Sequence, residues 1–423
     1  MDAKFQKFTP GEYLPFEAPL IEQKKQDFAK VLAGEGPPMP AAPAAPYSEA
    51  EILAYNKKWD PYNPLFNDPE YARNAGYDGV PAAPGFTTVR IPGVRPFPKN
   101  ISDGGFYYTN DGSDIRLSRP VVSGDLLTPG KSEPLFQEVT VPDSECREWI
   151  MGGVGTLVDA DGKEVVSFHT NTRECWKKRA DGGAPISFYE NMTEWCDYFP
   201  PAHVTTDEDW EKIRTMWKNE KIRGPEPLYW EDVEIGTFVP ETCSGPITYM
   251  DMAAWYGSVQ LNRDMLSNPA FLETCFRDQY GNYLFETAIH LGGRNVPGAR
   301  MVFFNDTAAH HVARAVTNYI GDRGYVSRYA WRFYPFYKEM RNYKPHDYDL
   351  ICEVVPGYEN RPLNRHGAEG DTVIGKAYVY DKYVDDAGRH VIKICGWGET
   401  LDGDVIEVCP MEAVLPSKNM SNR

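Results

Sequence analysis

An acid and a histidine lie four residues apart in the second half of the chain, at Glu286 and His290. Side chains at this spacing share one face of a helix, so a carboxylate and an imidazole can flank the same water molecule. Such a pair can activate water and move the proton at the carbon next to a carbonyl, which is the chemistry of hydration and dehydration. The alternative interpretation is an ordinary exposed pair on a surface helix.

A glycine-rich loop, LGGRNVPGA, follows this histidine directly. Glycine lets the backbone approach a ligand closely, and backbone amides aimed at a developing oxyanion stabilise it. We therefore predict that an amide near Gly298, or one at the start of the next helix, binds the carbonyl oxygen of a substrate.

One well-marked helix is predicted after the loop. Asp306 or Thr307 can cap its first turn, and Gly321 can end it because glycine takes the left-handed conformation without steric cost. Apolar residues at helical spacing form one stripe along it, and these residues are Ala308, Val312, Ala315, Val316 and Tyr319. The pattern predicts a central helix packed against a sheet.

The same helix carries two neighbouring histidines, His310 and His311. Adjacent side chains on a helix diverge by about 100°, so the pair does not predict a metal site. His311 borders the apolar stripe, and two interpretations stay open for it: a hydrogen-bonded core histidine, or a contact to the substrate.

Length and composition limit the classes of function. A chain of 423 residues predicts two domains of about 150 to 200 residues each. The net charge of −17 argues against nucleic acid and against an anionic membrane surface as partners. The eight cysteines are scattered without a CxxC pair, as is typical of reduced thiols in a cytoplasm. With no apolar run at the amino terminus, we expect a cytoplasmic protein without a membrane segment.

The chain divides into four predicted segments. Residues 1–46 are rich in Pro and Ala and are expected to be an extended lead-in. An N-terminal domain is predicted at 47–178, a linker containing a helix at 179–235, and a C-terminal domain at 236–423.

A weak internal repeat links the two domains. The hairpin patterns LVDADGKEVVSFHT and YVDDAGRHVIKICG share one order of apolar, acidic, glycine, basic and apolar positions, which predicts one fold used twice. Ser48 with Glu51 predicts a helix start in the first domain, and the apolar run DLICEVVP predicts a strand in the second. A helix beside antiparallel strands in each domain predicts the α+β class.

The run DPYNPLFNDPEYARNAGYDGVPAAPGF resembles the hydratase motif of MaoC-like enzymes. The resemblance places Asp60 at the catalytic acid of the motif, Asn63 in its Asn-Pro pair, and Gly85 at the glycine that follows its helix. The histidine position of the motif is Phe66, and a phenyl ring cannot transfer a proton. The resemblance therefore implies that the first half holds the ligand and that the acid–histidine pair of the second half carries catalysis.

This resemblance implies a tandem (double) hot-dog fold, in which each half is an antiparallel sheet wrapped around a central helix, and a dimeric assembly. It also implies a small-molecule coenzyme A thioester as substrate, with no metal and no cofactor beyond the coenzyme A of the substrate. We predict a hydratase or dehydratase that adds or removes water at the double bond of an enoyl thioester. The predicted substrate contacts are Asn63, Gly85, Gly298 and His311.

Two alternatives stay open. Phe66 and the imperfect second site fit a non-catalytic ligand-binding or partner subunit on the same scaffold. The acidic charge, with no obvious phosphate-binding cluster, fits a hydratase or lyase that acts on a free, non-thioester substrate.

Overall fold

The structure is a computed structural model. It describes residues 5–33, 45–86, 106–182, 203–248, 251, 276–277, 283–284, 303, 307–334 and 344–419. Across these ranges, helices long and apolar enough to cross a bilayer are absent.

Groups of helices and groups of strands follow one another along the described residues. The described α-helices are α1 Ala18–Leu32, α2 Glu49–Trp59, α3 Pro64–Asn67, α4 Pro69–Asn74, α5 Asp207–Asn219, α6 Thr307–Ile320 and α7 Leu350–Val354, with a 3₁₀ turn at Trp230–Asp232. The described strands are β1 Phe106–Leu117, β2 Thr128–Glu138, β3 Arg147–Val158, β4 Glu164–Trp176, β5 Phe238–Ser244, β6 Phe276–Arg277, β7 Tyr283–Leu284, β8 Tyr325–Phe333, β9 Val373–Val384, β10 His390–Glu399 and β11 Val405–Leu415.

The two halves of the chain contribute to one antiparallel sheet. Its strand order is β2-β3-β4-β1-β8-β11-β10-β9-β5, so β1 to β4 of the first half lie on one side, and β5 and β8 to β11 of the second half lie on the other. The halves meet where β1 pairs with β8, from Ser113 opposite Trp331 to Arg116 opposite Arg328. The short strands β6 and β7 pair only with each other in the described part of the chain.

Helix α6 is the central helix of the second half. It packs against all five long strands of that half, β5 and β8 to β11. In the apolar stripe predicted from the sequence, Ala308, Val312, Ala315 and Val316 are buried, and Tyr319 is partly buried against the core. The helix ends at Ile320, and the next residue, Gly321, has a φ of +71°. The α+β class is thus confirmed, in the double hot-dog arrangement of two antiparallel halves, and the sheet of the second half wraps around α6.

The first-half helices α2, α3 and α4 share the core of α6. Ser48 caps α2 by accepting a hydrogen bond from the backbone N–H of Glu51 at 3.2 Å, as predicted. Asn56 is buried on α2, where its Nδ2 donates to the carbonyls of Phe66 and Pro81 at 2.6 and 2.9 Å. The residues of the hydratase-like motif are therefore held against α2 rather than lying in a free loop.

Both predicted hairpins are present. β3 and β4 join at the DADG turn, where the N–H of Gly162 donates to the carbonyl of Asp159. β9 and β10 join at DDAG, where the N–H of Gly388 donates to the carbonyl of Asp385. The helix predicted in the linker is α5, which begins with a capping box at Thr206 and Asp209.

Two local predictions differ from the structure. The lead-in was expected to be extended, but α1 fills Ala18–Leu32, because this part has no proline after its second residue and buries Ile21 and Phe28 against β3 and β4. The strand predicted at DLICEVVP is wrong: Leu350–Val354 is α7, whose apolar residues cover the outer face of the second-half sheet. In this short run, tertiary burial outweighed the β-propensity of Ile and Val.

Candidate active site

A cavity of about 800 Å³ opens beside the first turn of α6. Its walls come from both halves of the chain and from α5 between them: the end of α2, α5, the end of β5 and the start of α6. The ionisable or hydroxyl-bearing side chains among its lining residues are Lys57, Lys58, Tyr62, Glu220, Cys243, Ser244, Asp251, His310, His311 and Arg314. A volume of this size is in the range of pockets that bind small molecules.

Both histidines of α6 line this cavity. His310 is only 2% exposed, and its Nδ1 lies 3.5 Å from the hydroxyl of Tyr329. Burial, with a smaller contribution from His311, holds the pKa of His310 well below its ordinary value. His310 therefore stays neutral near pH 7.

His311 is half-buried, and its Nδ1 has no hydrogen-bond partner among the described residues. Burial is the main cause that lowers the pKa of His311 to about 3, the positive charge of Arg314 lowers it further, and Asp251 opposes both effects. The imidazole is therefore neutral near pH 7, and its unpaired Nδ1 is free among the described residues to accept a hydrogen bond from a ligand or a water molecule.

Arg314 places a fixed positive charge one helical turn after these histidines. Its guanidinium contacts Glu220 through Nε at 3.0 Å and Nη2 at 3.2 Å, and Nη2 donates to the carbonyl of Cys243 at 3.0 Å. Asn318 donates from Nδ2 to the same Glu220 at 3.0 Å. These contacts tie α6 to the residue after α5 and to β5, which gives the cavity a rigid floor.

Asp60, the predicted catalytic acid of the first-half motif, ends α2 directly behind the cavity wall. Its neighbours Trp59 and Pro61 line the cavity, whereas Asp60 itself is 1% exposed. One carboxylate oxygen accepts from the N–H of Tyr62 at 3.3 Å, and Oδ2 has no hydrogen-bond partner among the described residues. Burial raises the pKa of Asp60, against the opposing effect of Arg314.

Asn63 and Phe66 border a different, much smaller cavity of about 30 Å³. Asn63 caps α3, since its Oδ1 accepts from the N–H of Leu65 at 3.0 Å. Phe66, at the histidine position of the motif, is buried and packs edge-to-face on Trp59. The space here accommodates about one water molecule.

Gly85, a predicted substrate contact, lies against the histidine helix. Its φ is +87°, and a Cβ there would lie 2.9 Å from the hydroxyl of Tyr55, 3.0 Å from Tyr329 and 3.5 Å from His310. A side chain at this position would therefore push on the aromatic residues that surround His310. Gly85 thus lies beside His310 but is not one of the residues that line the large cavity.

The structure places some of the predicted site residues together and leaves others outside the described ranges. His311 lies in the wall of the large cavity and Asp60 behind it. Glu286, His290 and Gly298 lie outside the described residues, so their roles stay predictions.

Sequence reasoning missed Arg314, Glu220 and Ser244. Arg314 stands three positions after His311 on the predicted helix, and this spacing alone indicated a shared face. Glu220 and Ser244 gave no local signal, because each reaches the cavity from a different element, the end of α5 and the end of β5.

The cavity mouth combines cationic and aromatic side chains. Lys57 and Lys58 lie exposed in the last turn of α2. Tyr62 is 78% exposed, and Trp217 on α5 is half exposed on the other side. This is a local basic and aromatic surface on a chain of net charge −17.

No family model and no curated protein matches the sequence. The chain is similar to several solved structures. One is a MaoC-like dehydratase, with 15% identity, a TM-score of 0.48, and coverage of 88% of this chain and 95% of that chain. Another is a conserved Mycobacterium tuberculosis protein described as a double hot-dog fold, with 14% identity, a TM-score of 0.44, and coverage of 88% and 94%.

A third similar structure is a MaoC-like dehydratase from Phytophthora capsici, with 12% identity, a TM-score of 0.40, and coverage of 89% of this chain and 95% of that chain. In each of these comparisons almost the whole length of the other chain is matched. The solved structures that this chain resembles thus include MaoC-like dehydratases, the family whose hydratase motif the residues from Asp60 to Phe86 resemble.

Proposed function

We propose that this protein is a hydratase or dehydratase that adds or removes water at the double bond of an enoyl thioester, with the proton-transferring group on α6 of the second half. One observation carries the proposal: the neutral imidazole of His311, with Nδ1 unpaired among the described residues, lies in the wall of a cavity of about 800 Å³ beside the fixed cation of Arg314.

In the hydration direction, the imidazole takes a proton from a water molecule while the water oxygen bonds to Cβ. The electron pair of the double bond moves toward the thioester carbonyl, which becomes an enolate, and Cα then receives the proton from the imidazolium. Dehydration is the reverse. Each proton transfer by a positioned imidazole typically accelerates the reaction about 10²- to 10⁴-fold, and hydrogen-bond donors aimed at the thioester oxygen would stabilise the enolate.

The cavity mouth supports an acyl-CoA-like ligand. Lys57 and Lys58 are cationic, and they oppose the negative field of the chain where an anionic group would enter. Trp59, Trp210 and Trp217 line the cavity and offer apolar area to an acyl group. This distribution of charge favours a ligand whose phosphate groups lie at the cavity mouth and whose acyl chain lies inside the cavity.

Glu286 and His290 stay a second candidate acid–base pair in the same half of the chain. Because they precede α6 in the sequence, they are the alternative to His311 as the group that transfers the proton. We also propose that the protein forms a homodimer and acts in the cytoplasm.

The proposal is tested by measuring hydration of a panel of 2-enoyl-CoA thioesters, through the loss of their conjugated-thioester absorbance. His311→Ala is expected to lower kcat by about 10²-fold or more and to leave the folded state intact. His346→Ala is the matched control, because the side chain of His346 is exposed. Full activity in His311→Ala together with its loss in His290→Ala would move the base to His290; full activity in both would refute acid–base catalysis by these histidines.

A non-catalytic ligand-binding subunit is the second candidate function. The buried Phe66 at the histidine position of the motif favours it, because it leaves that motif without its histidine. Calorimetric binding of coenzyme A thioesters without turnover of any of them would support this candidate. Turnover of a free, non-thioester substrate without coenzyme A binding would instead support a lyase of that class.

A further inference from the structure

Ser244, the last residue of β5, presents a buried hydroxyl to the large cavity. The side chain is only 8% exposed, and its Oγ has no hydrogen-bond partner among the described residues. Buried hydroxyl groups are nearly always hydrogen-bonded in folded proteins. A hydroxyl that lacks a partner in the wall of a cavity is therefore available to a ligand.

The position of this hydroxyl is set by its two preceding residues. The carbonyl of Cys243 accepts from Nε1 of Trp217 at 2.9 Å and from Nη2 of Arg314 at 3.0 Å. The hydroxyl of Thr242 donates to the carbonyl of His311 at 3.0 Å. The end of β5 is thus bonded to α5 and to α6, and Ser244 is held on the same rigid frame as the imidazole of His311.

Two residues that line the cavity therefore each carry a buried polar atom without a hydrogen-bond partner among the described residues, Oγ of Ser244 and Nδ1 of His311. A neutral imidazole nitrogen can accept a hydrogen bond, and a serine hydroxyl can donate one. A ligand hydroxyl can donate its hydrogen to Nδ1 of His311, and its oxygen can accept a hydrogen bond from Oγ of Ser244. A carbonyl oxygen satisfies only the serine, and an alkyl carbon satisfies neither.

We propose that Ser244 donates a hydrogen bond to the oxygen that is added to or removed from Cβ, and that it thereby makes the site selective for 3-hydroxyacyl ligands over saturated acyl ligands. This inference rests on the proposed function and names the group that orients the water oxygen. Ser244 holds that oxygen, and His311 moves its proton.

The test is the ratio of two dissociation constants, for 3-hydroxybutyryl-CoA and butyryl-CoA, measured by calorimetry. The two ligands differ only in the β-hydroxyl. The wild-type protein is expected to bind the hydroxylated ligand more tightly, and Ser244→Ala is expected to reduce this preference about 5- to 10-fold, the usual effect of one neutral hydrogen bond. Binding of butyryl-CoA itself should stay unchanged.

Thr372→Val is the matched control. The hydroxyl of Thr372 is also buried, at 2% exposure, and also lacks a partner among the described residues, but Thr372 does not line the cavity. It precedes the β9 strand that pairs with Ser244. This variant therefore reports the general effect of removing a buried hydroxyl nearby, and the ligand preference should remain that of the wild type.

Ser244→Cys keeps the size of the side chain with a weaker donor and should give an intermediate ratio, so the test holds even where Ser244→Ala folds poorly. An unchanged ratio in both Ser244 variants, with hydration by the wild type intact, would overturn the role of Ser244 alone. A wild-type protein that neither binds these thioesters nor hydrates an enoyl thioester would overturn the proposed function and this inference together.

Discussion

The side-chain hydroxyl of Thr242 donates a hydrogen bond of 3.0 Å to the backbone carbonyl of His311. This bond connects strand β5 to the central helix at the residue to which we assign proton transfer. It is made where β9 passes close to both groups, because Gly375 on β9 has no side chain to separate them. The position of the imidazole thus depends on three elements that are far apart in sequence.

Gly375→Ala is expected to displace His311. A Cβ at this position would lie 2.6 Å from the carbonyl oxygen of His311 and 2.6 Å from Oγ1 of Thr242, so the helix and the strand must move apart. We expect about 10²-fold lower kcat/KM, since a misplacement of about 1 Å has this effect on a positioned group, with about 1 to 3 kcal/mol lower stability from overpacking. Steady-state kinetics and denaturant unfolding measure the two effects.

The matched control for this change is Gly398→Ala on the neighbouring strand β10. A Cβ there would meet Ile406 at 3.4 Å and Val373 at 3.5 Å, which are ordinary contact distances. Equal losses of activity in the two variants would mean that the close approach at Gly375 is not what positions His311.

The pH dependence of kcat/KM distinguishes His311 from His290 as the base. Because the pKa of His311 is lowered to about 3, its imidazole is already neutral and able to accept a proton throughout the range above that value. We therefore expect kcat/KM to stay constant on the acid side from about pH 8 down to about pH 5. A base with an ordinary histidine pKa of about 6.5 would lose activity below that pH, and such an acid limb would argue for His290.

This profile needs a check on folding at each pH. His310, His311 and His366 all have pKa values below the ordinary histidine value in the folded state because they are buried. Groups of this kind stabilise the fold fully above the unfolded pKa of about 6.5 and lose that contribution as the pH falls below it. Circular dichroism at each pH separates unfolding from titration of the base.

Asp60→Asn is expected to increase stability near neutral pH and to decrease activity. Burial raises the pKa of Asp60 above 3.8 in the folded state, so the folded protein holds this proton more tightly than the unfolded chain. Stability therefore falls as pH rises through that window, and the ionised carboxylate is unfavourable above it. Asparagine removes the charge and still accepts the hydrogen bond from the N–H of Tyr62.

The gain in thermal midpoint for Asp60→Asn should be present at pH 7 and should vanish at pH values below that of an unperturbed carboxyl group. Differential scanning calorimetry at several pH values measures it. A lower midpoint at pH 7 would show that the carboxylate is instead well stabilised in the folded state.

Glu17→Ala is expected to destabilise the first half strongly. Glu17 and Arg147 are both fully buried and pair through two contacts of 3.0 Å, and Glu17 also accepts from Nε1 of Trp176 at 2.7 Å. Removing one member of a buried ion pair costs about 3 to 5 kcal/mol. The guanidinium of Arg147 would lose both contacts to Glu17 and keep its contact to the carboxylate of Glu138 at 2.6 Å, so we expect a loss toward the lower end of that range. Denaturant unfolding should show this loss.

Glu22→Ala on the same segment is the control for this prediction. Glu22 is an exposed residue of α1 that contacts only Gln26 among the described residues, so we expect a change within about 0.5 kcal/mol. Similar small effects in both variants would mean that the segment before residue 33 contributes little to the fold.

Much of the second-half core could be predicted from the sequence. The apolar stripe of α6, its end at Gly321 and the two DADG-like hairpins depend on helical periodicity and on glycine conformation, which are local properties. The strand predicted at DLICEVVP was wrong because so short an apolar run carries too little periodicity to distinguish a strand from a helix. The segment forms a helix because its apolar residues are buried against the outer face of the sheet.

The sequence by itself determined the elements of this protein and the resemblance carried by Asp60 and Asn63, because capping, periodicity and turn chemistry act between residues close in the chain. Only the tertiary structure decided which side chains share the cavity. His311 comes from α6, Glu220 from the end of α5 and Ser244 from the end of β5. Their meeting depends on how these elements pack, and packing is set by burial of long-range contacts that no local pattern encodes.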